Sequence, residues 1–249
     1  MLQGQRILAV VPARSGSKGI PHKNMQRLSG LSLIGWTGRT LAQVPWIDRR
    51  IISTDSPEYA REGERYGLEA PFLRPPHLST DTASAIDTVR HALAAVEALD
   101  GSTCDIVLVL EPSSPLRLPS DLEQTVRSLL ETGADSVVTV SLLPSKYHPL
   151  KTLRVTERRL DLYLDAGRAI VGRQSLESLY WRNGVCYALT RNCLLEQQIV
   201  IARHCVAGVI PHPVVNIDEP WDLAWAEFLL AHKHFEPAFA TAHAGPLVT

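Results

Sequence analysis

The loop that follows the first apolar stretch concentrates positive charge. The segment VVPARSGSKGIPHKN, residues 10–24, contains Arg14, Lys18, Lys23 and a histidine but no acidic residue. Gly16 and a second glycine three residues later let the backbone approach a ligand closely. Backbone N–H groups combined with cations are suited to a polyphosphate, although a solvated basic turn is the alternative interpretation. The spacing matches neither the P-loop nor the dinucleotide-binding glycine pattern.

Composition makes that charge more informative. The chain has 249 residues, a formal net charge of -1 and 45% hydrophobic residues, as expected for a globular α/β protein. The near-zero net charge gives no support for nucleic-acid binding. No apolar run approaches the roughly 18 residues of a membrane span, and the N-terminus lacks the features of a signal peptide. The four cysteines show no metal-type spacing, which indicates reduced thiols and a cytoplasmic location.

The elements that must position this loop alternate along the chain. Ser56 and Pro57 begin one predicted helix, and Gly67 follows it at the position of a left-handed C-cap. Strand-like segments cover residues 7–13, 49–55, 105–110 and 134–141, and helix-like segments cover residues 31–44, 84–99, 118–132 and about 219–234. This alternation predicts a mainly parallel sheet with helices on both faces. In such a sheet ligands bind beyond the carboxyl ends of the strands, where the basic loop lies.

The alternation stops after Ser141. Residues 142–180 contain polar-alternating stretches such as KTLRVT and RRLDLYLD, which predict a short hairpin projecting from the core. The strand pattern returns with GVCYALT and then PVVNI, which leads to Asp218. We therefore expect a core of residues 1–141 plus 181–249 and an insertion of residues 142–180.

Seven segments together resemble one family. PARSGSKGIPHKN resembles the signature of the acylneuraminate cytidylyltransferases, also called CMP-sialic acid synthetases. The resemblance continues in order with ISTDSPEYA, FLRPPHLSTDTASAID, LEPSSPLR, SVVTVSLLPSKYHPLK, RNGVCYAL and NIDEPWDLAWAE. It implies a Rossmann-like nucleotidyltransferase fold and a homodimer, with the insertion as the dimerisation element. It also implies the reaction of CTP with a 2-keto sugar acid to give a CMP-sugar and pyrophosphate.

The resemblance also assigns a nucleotide site. Its nucleotide-binding residues are Arg14, Ser15, Gly16, Lys18, Lys23, Asn24, Arg74, Ala83 and Ala85. The cations of the loop would stabilise the charge that grows on the leaving pyrophosphate, with Arg14 and Lys23 in catalytic roles. Arg74 and the two alanines match positions that hold cytosine. Taken alone, Arg74 is interpreted instead as a surface residue of a Pro-rich turn, and Ser84 as a helix N-cap.

The acceptor and the metal have their own candidates. Lys151, Arg182 and Asn183 match the sugar-acid side of the family site, and a carboxylate acceptor favours such basic partners. His148 is either a ligand contact or a turn residue. Asp218 is either a helix N-cap or a ligand for magnesium (Mg2+), and the resemblance favours the metal together with Asn216. Asp218 is therefore also a catalytic candidate.

This sequence departs from the family pattern at three positions. Asn216 stands where the family commonly has Asp, Glu111 where it has Gln, and Trp181 where it has Arg. The metal site has lost a charge and the sugar side has gained an acid. Glu111 is expected either to contact the sugar or to supply charge to the metal. An acceptor other than N-acetylneuraminate, such as an amino-bearing or shorter keto acid or a phosphonate, is one alternative, and a catalytically weak nucleotide-binding homologue is another.

Overall fold

A computed structural model describes residues 1–17 and 19–232 of the chain. The strands, in chain order, are β1 (Ile7–Pro12), β2 (Arg27–Leu28), β3 (Leu31–Ser32), β4 (Arg49–Ser53), β5 (Ile106–Val109), β6 (Ser136–Leu142), β7 (Leu153–Thr156), β8 (Arg159–Leu162), β9 (Tyr180–Thr190) and β10 (Cys205–Val209). The α-helices are α1 (Leu33–Ala42), α2 (Pro57–Arg65), α3 (Ala85–Asp100), α4 (Pro119–Thr132) and α5 (Pro220–Ala231). The tail, the predicted end of α5 at His234 and Lys18 lie outside the described residues.

Six strands form the central sheet in the spatial order β10, β6, β9, β5, β1, β4. The pairs β1–β4, β1–β5 and β10–β6 are parallel, whereas β9 runs antiparallel to both of its neighbours. The prediction of a mainly parallel sheet is therefore confirmed. Because β9 is inserted against the direction of the others, its N-terminal end lies at the edge where β5 and β1 end.

Alternate residues of β1 enter two different hydrophobic cores. Ile7 and Val11 pack with residues of α1, α2 and α4 on one face of the sheet. Leu8 and Val10 pack with residues of α3 on the other face. Each strand of a buried parallel sheet needs apolar side chains on both faces, which explains the continuous apolar runs in the sequence. Helices on both faces, as predicted, follow from this two-sided burial.

The helix signals of α2 are confirmed. Ser56 is its N-cap and its hydroxyl accepts a hydrogen bond from the N–H of Tyr59, and Pro57 is the first helical residue. Gly67 adopts φ of 80°, the left-handed conformation that favours glycine after a helix. Ser84 is likewise the N-cap of α3, although its side chain makes no capping hydrogen bond among the described residues.

The predicted strand at PVVNI is wrong. Residues 213–217 form an extended connection. The strand that pairs with β6 is β10, which begins eight residues before this segment, at Cys205. The apolar side chains of Val215 and Ile217 are nevertheless buried in a third core with α1 and α5. The N–H of Ile217 donates to the carbonyl of Ser113 at 2.7 Å, so this segment is bound to the loop after β5 rather than to a strand.

The insertion contains the predicted hairpin. β7 pairs antiparallel with β8, and both leave apolar side chains in solvent, with Val155 70% and Leu160 62% exposed. Its role as a dimerisation element and its bounds at residues 142–180 remain predictions. No helix within the described residues combines the length and the apolar character that crossing a membrane requires. All four cysteines are free, and three of them are buried.

Candidate active site

The basic loop leaves the sheet at the end of β1 and is bound to the loop after β4. The N–H and the hydroxyl of Ser15 both donate to the carboxylate of Asp55, at 2.8 and 2.9 Å. Ser15 therefore fixes the loop; it does not line either cavity described below, and its predicted contact with the nucleotide stays a prediction. Gly16 is exposed, and it too is absent from the walls of the cavities described below.

A cavity of about 540 Å³ opens at the carboxyl ends of β1 and β5. It is within the size range of small-molecule sites. Six of the predicted nucleotide residues line it: Arg14, Lys23, Asn24, Arg74, Ala83 and Ala85. Gly19 lies in the same wall, and a Cβ there would come within 2.8 Å of the carbonyl oxygen of Asp218. The glycine therefore permits the close approach of the loop to the segment before α5.

The acids missing from the loop come from two distant segments. Arg14 forms an ion pair with Asp81 at 2.5 Å, and Lys23 forms one with Asp218 at 2.8 Å. All four side chains line the first cavity. An anionic ligand in this cavity would meet cations whose charges are already balanced, and would have to compete with Asp81 and Asp218 for them.

Arg74 is buried rather than on the surface, so the interpretation as a surface turn residue is wrong. Only 6% of it is exposed, and its guanidinium donates to the hydroxyl and the carbonyl of Ser53. Burial lowers the pKa of Arg74 to about 10, against the opposing attraction of Asp55, so the side chain stays charged at neutral pH. A buried cation with part of its surface in the cavity is a preorganised partner for polar groups of a base or an anion.

A second cavity of about 310 Å³ adjoins the first. Glu111, Pro12 and Ala85 line both cavities. The remaining polar wall of the second cavity consists of Arg182, Tyr187 and Asn216, and four aliphatic side chains complete it: Ile86, Val89, Val109 and Val200. The two cavities thus form one site, with Glu111 at their junction.

A bulge in β9 shapes this junction. Val140 of β6 pairs with Arg182 of β9, and Val138 pairs with Tyr187. Two steps along β6 therefore correspond to five steps along β9. Gly184 lies in the bulge with φ of 68°, and a Cβ there would come within 2.7 Å of Oε2 of Glu111. Bulges often redirect side chains beside active sites, and here the bulge brings the backbone against the Glu111 carboxylate.

Tyr187 lies beside Glu111 in the wall of the second cavity. Burial raises the pKa of Tyr187, and the nearby Glu111 carboxylate raises it further. The phenol therefore stays protonated next to the carboxylate. No pattern in the sequence identified Tyr187, because its position in GVCYALT is typical of an ordinary core strand residue.

Asn183 holds the bulge and does not line either cavity, and its predicted contact with the acceptor stays a prediction. It is fully buried, and its Oδ1 accepts from the hydroxyl of Thr139 at 2.7 Å and from the N–H of Val185 at 3.2 Å. Its Nδ2 donates to Ser141 at 3.0 Å, so the whole amide is used to hold the bulge. Lys151 lies in the turn Pro149–Lys151, and the residues that line the two cavities do not include it.

Asp218 is not the cap of α5; Glu219 is, and Asp222 accepts the backbone hydrogen bonds there. The Asp218 carboxylate instead accepts hydrogen bonds from the ammonium group of Lys23 and from Nδ2 of Asn216, the latter at 3.2 Å. Oδ1 of Asn216 is buried and has no hydrogen-bond partner in the described part of the chain. Among the described residues no group of three or more His, Cys, Asp or Glu side chains could hold a metal by itself.

Comparison with known proteins adds the family. The sequence model of the family described as "Cytidylyltransferase" matches residues 8–175, which contain the basic loop, Arg74 and Glu111. The chain belongs to the cytidylyltransferase family. The resemblance found in the sequence is therefore confirmed, and this member is a nucleotidyltransferase enzyme.

Two relatives and one solved structure illustrate the likeness. The chain is 27% identical over 231 residues to the post-translational flagellin modification protein B of Campylobacter coli, covering 92% of this chain and 97% of that one. It is 40% identical over 142 residues to the CMP-N,N'-diacetyllegionaminic acid synthase of Legionella pneumophila, covering 56% of this chain and 61% of that one. A CMP:2-keto-3-deoxy-manno-octonic acid synthetase complexed with CTP has the same fold, with a TM-score of 0.64 at 18% identity, covering 92% of this chain and 99% of that one.

Proposed function

We propose that this cytidylyltransferase transfers CMP from CTP to a nonulosonic acid, a 2-keto sugar acid of the sialic or legionaminic type, and releases pyrophosphate. The observation that carries the proposal is the pair of adjoining cavities with Glu111 at their junction. One cavity presents Arg14, Lys23 and Arg74, which suit a triphosphate and a base. The other is smaller and presents one arginine opposite a carboxylate.

The second cavity fits an acidic sugar. Arg182 can bind the acceptor carboxylate in a bidentate manner, and Glu111 can accept hydrogen bonds from hydroxyl or amino groups. The aliphatic wall around Val89 and Val109 suits methyl or acyl substituents. The relative named as a CMP-N,N'-diacetyllegionaminic acid synthase supports an acceptor of this class.

The reaction requires charge stabilisation more than covalent chemistry. The anomeric hydroxyl of the acceptor forms a bond to the α-phosphorus of CTP and releases its proton to solvent, and the bond from that phosphorus to the bridging oxygen of pyrophosphate breaks. Negative charge accumulates on the leaving group, where Arg14 and Lys23 would lie. Both cations must first exchange Asp81 and Asp218 for phosphate oxygens, which makes the site responsive to the bound nucleotide.

Magnesium is part of the proposal. A Mg2+ ion is usually held by one or two carboxylates together with substrate phosphates, and Asp218 provides one carboxylate at the first cavity. The unpartnered Oδ1 of Asn216 provides a second oxygen next to it. When bound, the ion would neutralise phosphate charge. Asp218 would then hold the ion and release Lys23 to the nucleotide.

A homodimer and a cytoplasmic location complete the proposal. The exposed apolar side chains of β7 and β8 form a surface that a second copy of the chain can cover, because a two-stranded hairpin cannot bury them by itself. The free cysteines are consistent with a reducing compartment.

The test is release of pyrophosphate from CTP with three probes: N-acetylneuraminic acid, N,N'-diacetyllegionaminic acid and 2-keto-3-deoxy-manno-octonic acid. We expect turnover with at least one nonulosonic acid, none without an acceptor, and much slower turnover when ATP or GTP replaces CTP, because the resemblance assigns Arg74, Ala83 and Ala85 in the wall of the first cavity to cytosine.

A matched variant tests the acceptor side. Arg182→Met removes the proposed carboxylate partner and is expected to raise the KM for the acceptor with little change in CTP binding.

CTP binding without turnover on any acceptor would reject the transferase proposal in favour of a nucleotide-binding protein. Equal turnover with a purine triphosphate would reject the assignment of the base.

A further inference from the structure

Arg117 is a fully buried arginine behind the junction of the two cavities. It lies in the loop between β5 and α4 and has no exposed surface. Burial lowers its pKa to about 10, while the charges of Glu111 and Asp121 oppose this change, so it stays protonated at neutral pH. No described carboxylate forms an ion pair with it.

Its hydrogen bonds go instead to neutral groups of three elements. Nε donates to the carbonyl of Val185 at 2.9 Å, and Nη1 donates to the hydroxyl of Thr37 at 2.8 Å. Nη2 donates to the carbonyls of Glu111 and Gly184. The guanidinium thus connects α1, the loop after β5 and the bulge of β9, in a fork geometry that lysine cannot reproduce.

Two of these elements carry the acceptor side of the proposed site. Glu111 supplies the carboxylate at the junction, and its Oε2 lies against Gly184. Ser114 reinforces the same connection, since its N–H donates to the carbonyl of Glu111 at 3.0 Å and its hydroxyl donates to the carbonyl of Asn183. The position of the Glu111 carboxylate is therefore determined by main-chain atoms that Arg117 holds.

Stability alone does not account for such a residue. A desolvated charge without a carboxylate partner is costly, and well-packed apolar residues often serve a core as well or better. A buried guanidinium that gathers three carbonyls from two segments gives definite positions to those segments. Both segments border the second cavity, and Glu111 also reaches the first, whereas the segments with Arg14, Lys23 and Arg74 do not contact Arg117 in any hydrogen bond of the described residues.

We propose that Arg117 is a positioning residue for acceptor recognition: it holds the main chain at Glu111 and Gly184 so that the Glu111 carboxylate faces the acceptor cavity. This inference rests on the proposed function. It assigns to Arg117 an effect on the acceptor half of the reaction and little effect on CTP binding.

Kinetics of Arg117→Lys and Arg117→Met test the assignment. We expect the kcat/KM for the acceptor to fall at least about tenfold in Arg117→Lys and further in Arg117→Met, while the Kd for CTP changes less than about threefold. If Arg117→Met fails to fold, the milder Thr37→Val variant replaces it. Thr37→Val removes one hydrogen-bond acceptor of the guanidinium and is also expected to lower the kcat/KM for the acceptor. Arg127→Met, an exposed arginine on α4, is the matched control and is expected to behave as wild type.

A double-mutant cycle with Glu111→Ala separates positioning from general destabilisation. If Arg117 acts through Glu111, Arg117→Lys has a much smaller effect on acceptor kcat/KM in the Glu111→Ala background than in the wild type. Additive effects, or a loss of CTP binding as large as the loss of acceptor kcat/KM, would overturn the proposal.

Amide hydrogen exchange provides a readout that does not need turnover. We expect the amides of Glu111 and Ser114 to exchange at least about tenfold faster in Arg117→Lys, while amides of β1 and β4 keep their rates. Unchanged exchange at Glu111 and Ser114 would overturn the positioning role. If the wild type showed no turnover with any acceptor probe, the proposed function would be rejected. The exchange rates would still decide whether Arg117 holds the loop.

Discussion

The ammonium group of Lys23 lies 2.8 Å from the carboxylate of Asp218, although 195 residues separate them in the chain. The contact joins the basic loop after β1 to the segment that precedes α5. Asp218 is 62% exposed in its side chain, so the pair is screened by solvent and can exchange partners easily. In the proposed function, phosphate would replace Asp218 at Lys23, and a cation would replace Lys23 at Asp218.

The first prediction concerns Arg14, which forms the other ion pair of the cavity. Arg14→Ala is expected to lower kcat/KM by at least about 10²-fold, because it removes a cation from the developing charge of the leaving group. Steady-state kinetics with CTP measures the effect. Arg61→Ala, on the exposed face of α2, is the control. A folded Arg14→Ala variant with less than about a threefold change would reject Arg14 as a phosphate contact.

Six of the nine residues that the sequence assigns to the nucleotide line one cavity, because the signal that selects them is local. A strand, two glycines and several cations without acids lie within one segment, and the fold places the end of β1 at the cavity. Asp81 and Asp218 are acids of other segments, so their pairing with the loop could not be read from the loop itself. The resemblance identified Asp218 as a site residue, but it did not identify Asp81.

The errors have definite physical causes. PVVNI is apolar because Val215 and Ile217 enter a core, and an apolar run does not specify whether its backbone joins a sheet. The strand that does join, β10, is short and partly exposed at the edge of the sheet, so its pattern is weak. Arg117 and Tyr187 depend on contacts across the sheet that no local pattern encodes.

Gly184 provides the second prediction. Gly184→Ala places a Cβ within 2.7 Å of Glu111 and 2.8 Å of Ser114 at a positive φ, so we expect loss of stability and a shift of Glu111. Gly133→Ala is the control, because Gly133 has a similar φ of 61° but no atom of another described segment within 4 Å of the added Cβ. Chemical denaturation is expected to show a loss of about 1 kcal/mol for Gly133→Ala and more for Gly184→Ala. Only Gly184→Ala is expected to lower acceptor kcat/KM, and equal activity of the two variants would contradict the role of Gly184.

The third prediction is a pH dependence of stability that arises from His212. Burial lowers its pKa, but the hydrogen bond at 3.0 Å and the charge of Asp121 outweigh burial, so the pKa is raised above 6.5. Its stabilising contribution is therefore complete below pH 6.5 and is lost as the pH rises through the raised folded-state pKa.

Urea denaturation between pH 5 and pH 9, about the range of histidine titration, measures this contribution as the difference between wild type and His212→Gln. We expect the difference in unfolding free energy to shrink as the pH rises. Burial lowers the pKa of His91, so this residue has the opposite effect on the pH dependence of stability. Because both proteins contain His91, its effect cancels in the difference. A difference that is constant with pH would contradict the assignment.

The fourth prediction concerns the hairpin. Replacing Val155 and Leu160 by lysine is expected to produce a monomer, because charge would be buried where a second copy covers β7 and β8. Sedimentation velocity at micromolar concentrations measures the change from a wild-type dimer. Leu99→Lys is the control, since Leu99 is an equally exposed apolar residue, 62% accessible, on α3. A wild-type monomer would reject the dimer, and an unchanged dimer in the double variant would place the interface elsewhere.

The fifth prediction separates the two possible roles of Glu111. The carboxylate lies against Gly184 and Tyr187 and lines the acceptor cavity, so we expect Glu111→Gln to change the preference among acceptor probes. We expect its magnesium titration to match that of the wild type. If Glu111 supplied charge to the metal, Glu111→Gln would instead raise the magnesium concentration for half-maximal rate, and Asn216→Asp would restore it.

The same titration tests Asp218. Magnesium prefers anionic oxygen, and Asp218 is the only carboxylate that the segment at residues 216–218 provides. Asp218→Ala is therefore expected to abolish turnover, while Asn216→Asp, which replaces a neutral oxygen by a charged one, is expected to lower the magnesium requirement. Glu64→Gln, on the exposed face of α2, controls for the loss of a negative charge. Full activity of Asp218→Ala would show that the ion, if required, is held elsewhere, and would leave Asp218 only as the partner of Lys23.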